Sequence, residues 1–436
     1  MMRAQKKPLS GSVRTAVREV PLQDSSEGDA PDFGFEDKGK FLGAGYGAEA
    51  LPLTLPQGQQ AQAVYALDGA EGRAYCLVSA DGKAWYCAAG GSAFTDSGVQ
   101  FAARPAACRV SGGEAGWLLS DGASVALFTA DGVGAEAEIP AFSCACWHYE
   151  RLWLVPASDA EQLYFSAPGA LRDFSSAIGG GGYVRVPDEK GDICTLVGRE
   201  NYLYLFRERG VQRLSARGDE AEFEVRDEFS CARVYAETVC ETGGCIYWLG
   251  EDGLHRFDGG KEENFADTCR FFSETQLSPF AVAAAGMYIL HARIRTDGGE
   301  EDAFVLIHPL RGDRQVVRAS ASFASACGGE VIFASDAGLF RLQKGAAPSR
   351  RIVRRLENPL AQPSCLSEVV LYGKGMYVIR FSGERGTRIV RLNAAFGSAR
   401  AAVNLAGGQF LCELLSEGPA CELRALTVRY TKGGLQ

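Results

Sequence analysis

The sequence predicts an all-β fold: a β-propeller of about seven blades, with a small C-terminal antiparallel β domain and an extended N-terminal arm. Three observations predict it. The 53 glycines among 436 residues, set between many short apolar runs, favour turns and strands over helices. No long stretch shows the i, i+3, i+4, i+7 apolar spacing and caps of a helix. A hairpin signature recurs along the chain.

Each hairpin is an apolar run, a turn signal and a second short run. The first is Ala74–Val78, Asp81–Gly82, then Trp85–Cys87. The next two are Trp117–Leu119 with Asp121–Gly122 and Val125–Phe128, and Leu152–Val155 with a polar loop and Leu163–Phe165. Then come Tyr202–Phe206 with Arg209–Gly210 and Val211–Leu214, and Ile246–Leu249 with Asp252–Gly253 and Leu254–Phe257. The last two are Met287–Leu290 with a longer loop and Phe304–Ile307, and Val331–Phe333 with Asp336–Gly338 and Leu339–Leu342. First runs recur every 35 to 50 residues or so, and a four-stranded blade needs about 40. Asp-Gly supplies the left-handed backbone angles of tight β-turns. A single blade cannot bury both apolar faces, whereas a closed ring buries each blade against the next. The closing strand of the ring is not identifiable from the pattern.

Residues 1–58 read as the arm: a basic stretch with Arg3, Lys6, Lys7, Arg14 and Arg18, then an acidic one with little apolar periodicity. Residues 59–347 hold the propeller. Residues 348–436 break the repeat and carry strand-like runs that predict a small sandwich-like domain, or else strands that close the ring.

The formal net charge of −9 argues against bulk nucleic-acid binding by the whole surface. No run of 18 apolar residues predicts a membrane span, and Met1–Ser10 lacks the apolar stretch of a secretory signal. The 14 cysteines contain no CxxC pair, and many sit in apolar runs, so they read as reduced, buried, structural thiols.

The catalytic motifs sought are missing from the sequence. There is no G-x-S-x-G elbow, no H-E-x-x-H pair and no Walker loop. His148, His255, His291 and His308 lie in different units and read as surface or core residues. Gly179–Gly182 lacks the Lys-Ser/Thr or helix that would hold phosphate and reads as a flexible loop. Ser79–Trp85 resembles a shortened Asp-box turn of sialidase-like propellers, a structural motif; no spacing picks out the arginine cluster and Tyr/Glu pair that such glycosidases use. No catalytic, cofactor-binding or metal-ligating residues are therefore assigned, and the chain is read as not an enzyme. One charge feature stands out: Arg350, Arg351, Arg354 and Arg355, a candidate contact for phosphate or an acidic partner.

One stretch carries a family resemblance. Arg151–Leu152–Trp153–Leu154–Val155 precedes Leu163–Tyr164–Phe165–Ser166–Ala167–Pro168–Gly169, then Asp173–Phe174, Ile193–Val197 and Tyr202–Phe206. These runs resemble propeller proteins of bacteriophage tails and head–tail junctions, including tail-nozzle and packaged-DNA stabilisation proteins and prophage minor structural proteins. The resemblance covers about 60 residues well and about 300 loosely by repeat pattern. It implies a non-enzymatic structural or adaptor subunit of a phage-like particle, made in the bacterial host cytoplasm and residing in the virion. Its expected partners are other virion subunits, a homo-oligomeric ring and non-specific contact with DNA. A glycan- or receptor-binding propeller at a tail tip and a sialidase-like glycosidase stand as the alternatives.

Overall fold

The computed structural model describes residues 15–20 and 46–431, apart from short stretches at 112–113, 177–178, 217–219, 266–267, 270, 297–298, 310–313, 345, 347–348, 358–359 and 361–364. No α-helix occurs among the described residues. The strands form seven four-stranded antiparallel sheets and one six-stranded sheet. The fold is a β-propeller of seven blades with a separate β unit.

Six of the blades are meanders in chain order. The first six run Ala61–Gly69 to Thr95–Gln100, Ala106–Val110 to Gly132–Ala135, Phe142–His148 to Gly182–Arg185, Ile193–Arg199 to Glu224–Ser230, Cys240–Thr242 to Glu262–Phe265, and Phe280–Ala284 to Arg314–Arg318. All seven hairpins read from the sequence are the two middle strands of a blade.

The seventh blade explains why the closing strand escaped the sequence pattern. Its first three strands are Phe323–Cys327, Glu330–Ser335 and Gly338–Lys344, and its fourth is Tyr46–Ala50, from ahead of the first blade. The Leu51 N–H donates to the Leu339 carbonyl at 2.9 Å, and Arg341 pairs with Glu49 at 2.9 Å. This segment was expected in the arm. As an outer strand, Ala48–Ala50 is exposed, so it needs no apolar alternation and shows none.

Adjacent blades touch all the way round, with the first blade also meeting the seventh. The apolar clusters follow the seams. Leu118, Leu127, Leu152 and Leu154 fill the second seam, and Tyr247, Leu249, Tyr288 and Leu290 the fifth. Ala61, Val64, Ile332 and Leu339 join the ends of the ring. Two-sided burial is what makes the middle strands read as unbroken apolar runs. The tight turns need glycine where expected: Gly82 has φ +85°, and a Cβ there would stand 1.9 Å from the Phe101 carbonyl oxygen.

All 14 cysteines are free thiols, and burial pushes Cys194, Cys231 and Cys240 up to about 12.

The chain divides into two compact units, one spanning Ala48–Gln343 and the other Lys344 onward with N-terminal residues. These limits differ from the expected boundaries at 59 and 348. In the second unit Thr15–Val20, again from the expected arm, joins Ser349–Glu357, Cys365–Gly383, Gly386–Asn393, Ser398–Ala406 and Gln409–Thr431 in one sheet. The two long strands pair along their length and change outer neighbours halfway, across register shifts near Gly373 and Gly375. Both halves feed one apolar cluster that includes Val369, Leu371, Ile379, Phe381, Leu414 and Val428. All six strands are thus hydrogen-bonded into one continuous sheet whose two halves share a core.

Candidate functional site

The stretch that carries the family resemblance builds a locked loop on the third blade. Trp153 is fully buried, and its indole N–H donates to the His148 carbonyl at 3.0 Å. Arg151 is also buried; its Nη1 donates to the carbonyls of Ser166 (2.8 Å) and Gly180 (3.1 Å), and its guanidinium lies over Phe165. Ser166 Oγ accepts from the Leu152 N–H at 2.9 Å and donates to the Ala167 carbonyl. Ala167 N–H donates to the Asp173 carbonyl at 2.7 Å, and Gly169 N–H to the Glu150 carbonyl at 2.7 Å. Gly181, expected in a flexible loop, is packed: a Cβ there would lie 2.4 Å from the Asp173 carbonyl oxygen and 2.6 Å from that of Phe165. The motif residues therefore fix the loop that follows the third strand-run of this blade.

That loop forms one wall of an open cleft of about 700 Å³ between the second and third blades. Val110, Glu114, Glu138, Trp147, Leu171 and Arg172 are among its lining residues. Arg172 is held by Glu114 (2.8 Å) and by the nine-tenths buried Glu136 (2.8 Å). The Arg172 guanidinium keeps the Glu114 carboxyl below its usual range. Nothing in the sequence pattern singles out this set, because Glu114 and Arg172 are 58 residues apart.

A second, smaller pocket of about 390 Å³ lies on the fifth blade, lined by Ser230, Cys231, Asp252, His255, Glu262 and Asn264. His255 is 1% exposed and stacks on Trp248. Its Nδ1 lies 2.7 Å from Glu262 Oε1 and its Nε2 2.8 Å from Asp252 Oδ1, so both ring nitrogens are engaged within the blade. Among the described residues no three His, Cys, Asp or Glu side chains gather to hold a metal ion.

His291 is buried in the sixth blade, stacked on Phe280, with Nε2 accepting from the Ala321 N–H at 3.2 Å. Burial lowers its pKa to about 4. The unfolded chain then binds the extra proton first, so stability falls as pH drops from about 6.5 towards 4, by on the order of 3 kcal/mol. Urea unfolding of wild type and His291→Phe across this range checks it: the wild-type slope with pH is expected to be reduced in the variant.

The four arginines Arg350, Arg351, Arg354 and Arg355 lie in the edge strand Ser349–Glu357; their side chains fall outside the described residues. The register sets Arg351 and Arg355 opposite Leu415 and Leu411, and Arg350 and Arg354 opposite Ser416 and Cys412. Strand alternation thus divides the four positions between the two faces of the sheet.

No helix among the described residues is long and apolar enough to cross a membrane. No family model matches the chain, and no curated protein matches it. Solved structures do. The extracellular domain of a hybrid two-component system from B. thetaiotaomicron aligns with TM-score 0.46 and 11% identity over 80% of this chain, which spans 46% of that one. BamB from Moraxella catarrhalis aligns with TM-score 0.40 and 10% identity, over 69% of this chain and 97% of BamB. YCF48 from Cyanidioschyzon merolae gives TM-score 0.40 and 10% identity, over 68% and 98%.

Proposed function

We propose that this chain is a non-enzymatic structural adaptor of a phage or phage-like particle, at the tail or head–tail junction. The ring is its stiff body, and the six-stranded unit supplies an assembly face. The observation that supports this reading is a group of exposed apolar side chains on a face that also carries the Arg380–Glu413 pair. Met376, Ile389, Leu411 and Leu415 are 47%, 57%, 40% and 36% exposed. The strand register puts them on one face, opposite the buried Tyr377, Ile379, Cys412 and Leu414. Phe396, at the turn after Gly386–Asn393, is fully exposed. Clustered exposed apolar side chains of this kind mark protein contacts. Other virion subunits, among them further copies of the chain in a ring, are the proposed occupants, and the resemblance around Ser166–Gly169 supplies the setting.

The double variant Ile389→Glu, Leu415→Glu tests it. Both positions are exposed, so the urea midpoint is expected to stay unchanged. Wild-type chain is expected in purified particles from the source strain, and the variant is expected to be depleted at least about tenfold. Wild type missing from the particles, or a variant incorporated at wild-type level, would contradict the proposal.

A further inference from the structure

We propose that the cleft between the second and third blades binds a neutral oligosaccharide. This goes beyond the assembly role and does not depend on it.

The cleft has the three parts that such a ligand requires. The first is an aromatic side chain. Trp147 lines the cleft, half-buried, with its body against the apolar seam. Tyr164 and Tyr183 do not line the cleft but lie on the same face of the blade: they pair in register, and Leu154 lies opposite both Tyr164 and Ala145, two residues before Trp147. Tyr164 is half-buried and Tyr183 is 56% exposed. Among the described residues Trp147 Nε1, Tyr164 Oη and Tyr183 Oη make no hydrogen bond. Such side chains offer an apolar body to the C–H face of a sugar ring and a polar tip to its hydroxyls.

The second part is a set of acceptors. The exposed Glu138 carboxylate lines the cleft and makes no hydrogen bond or ion pair among the described residues. Glu114 and Asp173 stand beside it, Asp173 with Oδ1 held by Ser175. The third is a fixed donor. Arg172 is clamped by Glu114 and the buried Glu136, and its guanidinium is not free to swing away. A few placed polar groups over an apolar wall fit a ligand that carries hydroxyls rather than charge.

The charge balance selects among sugars. Glu114, Glu138 and Asp173 face a single cation, Arg172, among the lining residues. An acidic glycan would be repelled. A polycation would meet Arg172, and Glu114 is already spent on that residue.

Calorimetric titration of the full chain with maltotetraose, cellotetraose, chitotetraose, 3′-sialyllactose and tetralysine tests the inference. At least one neutral tetrasaccharide is expected to saturate below about 10 mM, with the last two probes giving no saturable heat. Glu138→Gln and Trp147→Phe are expected to weaken that binding at least about fivefold while keeping the wild-type urea midpoint. Trp147→Phe keeps an aromatic body in the seam, and Glu138→Gln alters an exposed side chain, so both report on the cleft with the fold intact. The inference is overturned if no neutral probe saturates, if both variants bind as wild type does, or if 3′-sialyllactose or tetralysine binds instead.

Discussion

Arg207→Ala is expected to destabilise the propeller by about 3–5 kcal/mol. Arg207 is fully buried inside the fourth blade, an unusual place for a guanidinium. Its cost is met by three acceptors. Nε donates to Gln212 Oε1 at 2.7 Å, Nη1 to the Gly191 carbonyl at 2.6 Å, and Nη2 to the Val186 carbonyl. Gln212 in turn donates to Asp188 (2.7 Å) and Asp227 (3.0 Å), and Lys190 pairs with Asp227 at 2.9 Å. Burial pulls the Arg207 pKa down, and the nearby carboxylates, Asp188 foremost, oppose that pull. Alanine removes the cation, opens a cavity and leaves the buried Val186 carbonyl, the part-buried Gly191 carbonyl and an amide oxygen without their donor. Arg207→Met fills much of the space yet leaves the same acceptors bare, so it should recover only part of the loss. Urea unfolding checks both; a loss below about 1 kcal/mol for the alanine variant would show that the network is not holding the blade.

The second large effect is expected at the closing strand. Replacing Ala48, Glu49 and Ala50 together by proline removes every N–H donor of that stretch, while Thr15–Val20 and the six-stranded sheet keep their sequence. Lost N–H donation to the ladder, a lost Glu49–Arg341 pair and a newly bare edge at Gly338–Lys344 predict a loss of about 3 kcal/mol, or a fall of roughly 5 °C in Tm. The bare edge also predicts aggregation at high protein concentration. Light scattering during the melt reads both.

The blades were legible in the sequence where burial is two-sided. Tyr202–Arg207 and Cys245–Gly250 are covered on both faces, and their apolar runs stand out against the turns. Outer strands such as Thr95–Gln100 and Glu262–Phe265 carry mostly polar or part-exposed residues, so they gave no signal. Tyr46–Ala50 is the extreme case: it pairs with a strand nearly 300 residues away, and only its backbone needs to fit. The locked loop after Phe165 was visible as a motif because its bonds are short-range in sequence. Its role as the wall of a cleft was not, since the facing residues Val110 and Glu114 come from another blade. Arg207 and His255 were equally opaque. A buried charge or a doubly engaged imidazole looks like any other polar residue until its partners are placed beside it.

The central claim is a seven-bladed ring that the segment before the first blade closes. Hydrogen exchange of the full chain, followed by mass spectrometry over residues 46–51, tests it most directly. The closed ring predicts that part of this segment, with the Leu51 amide included, exchanges slowly, together with Gly338–Lys344. Exchange of the whole segment at the rate of an unstructured peptide, with Gly338–Lys344 still protected on one side only, would contradict it.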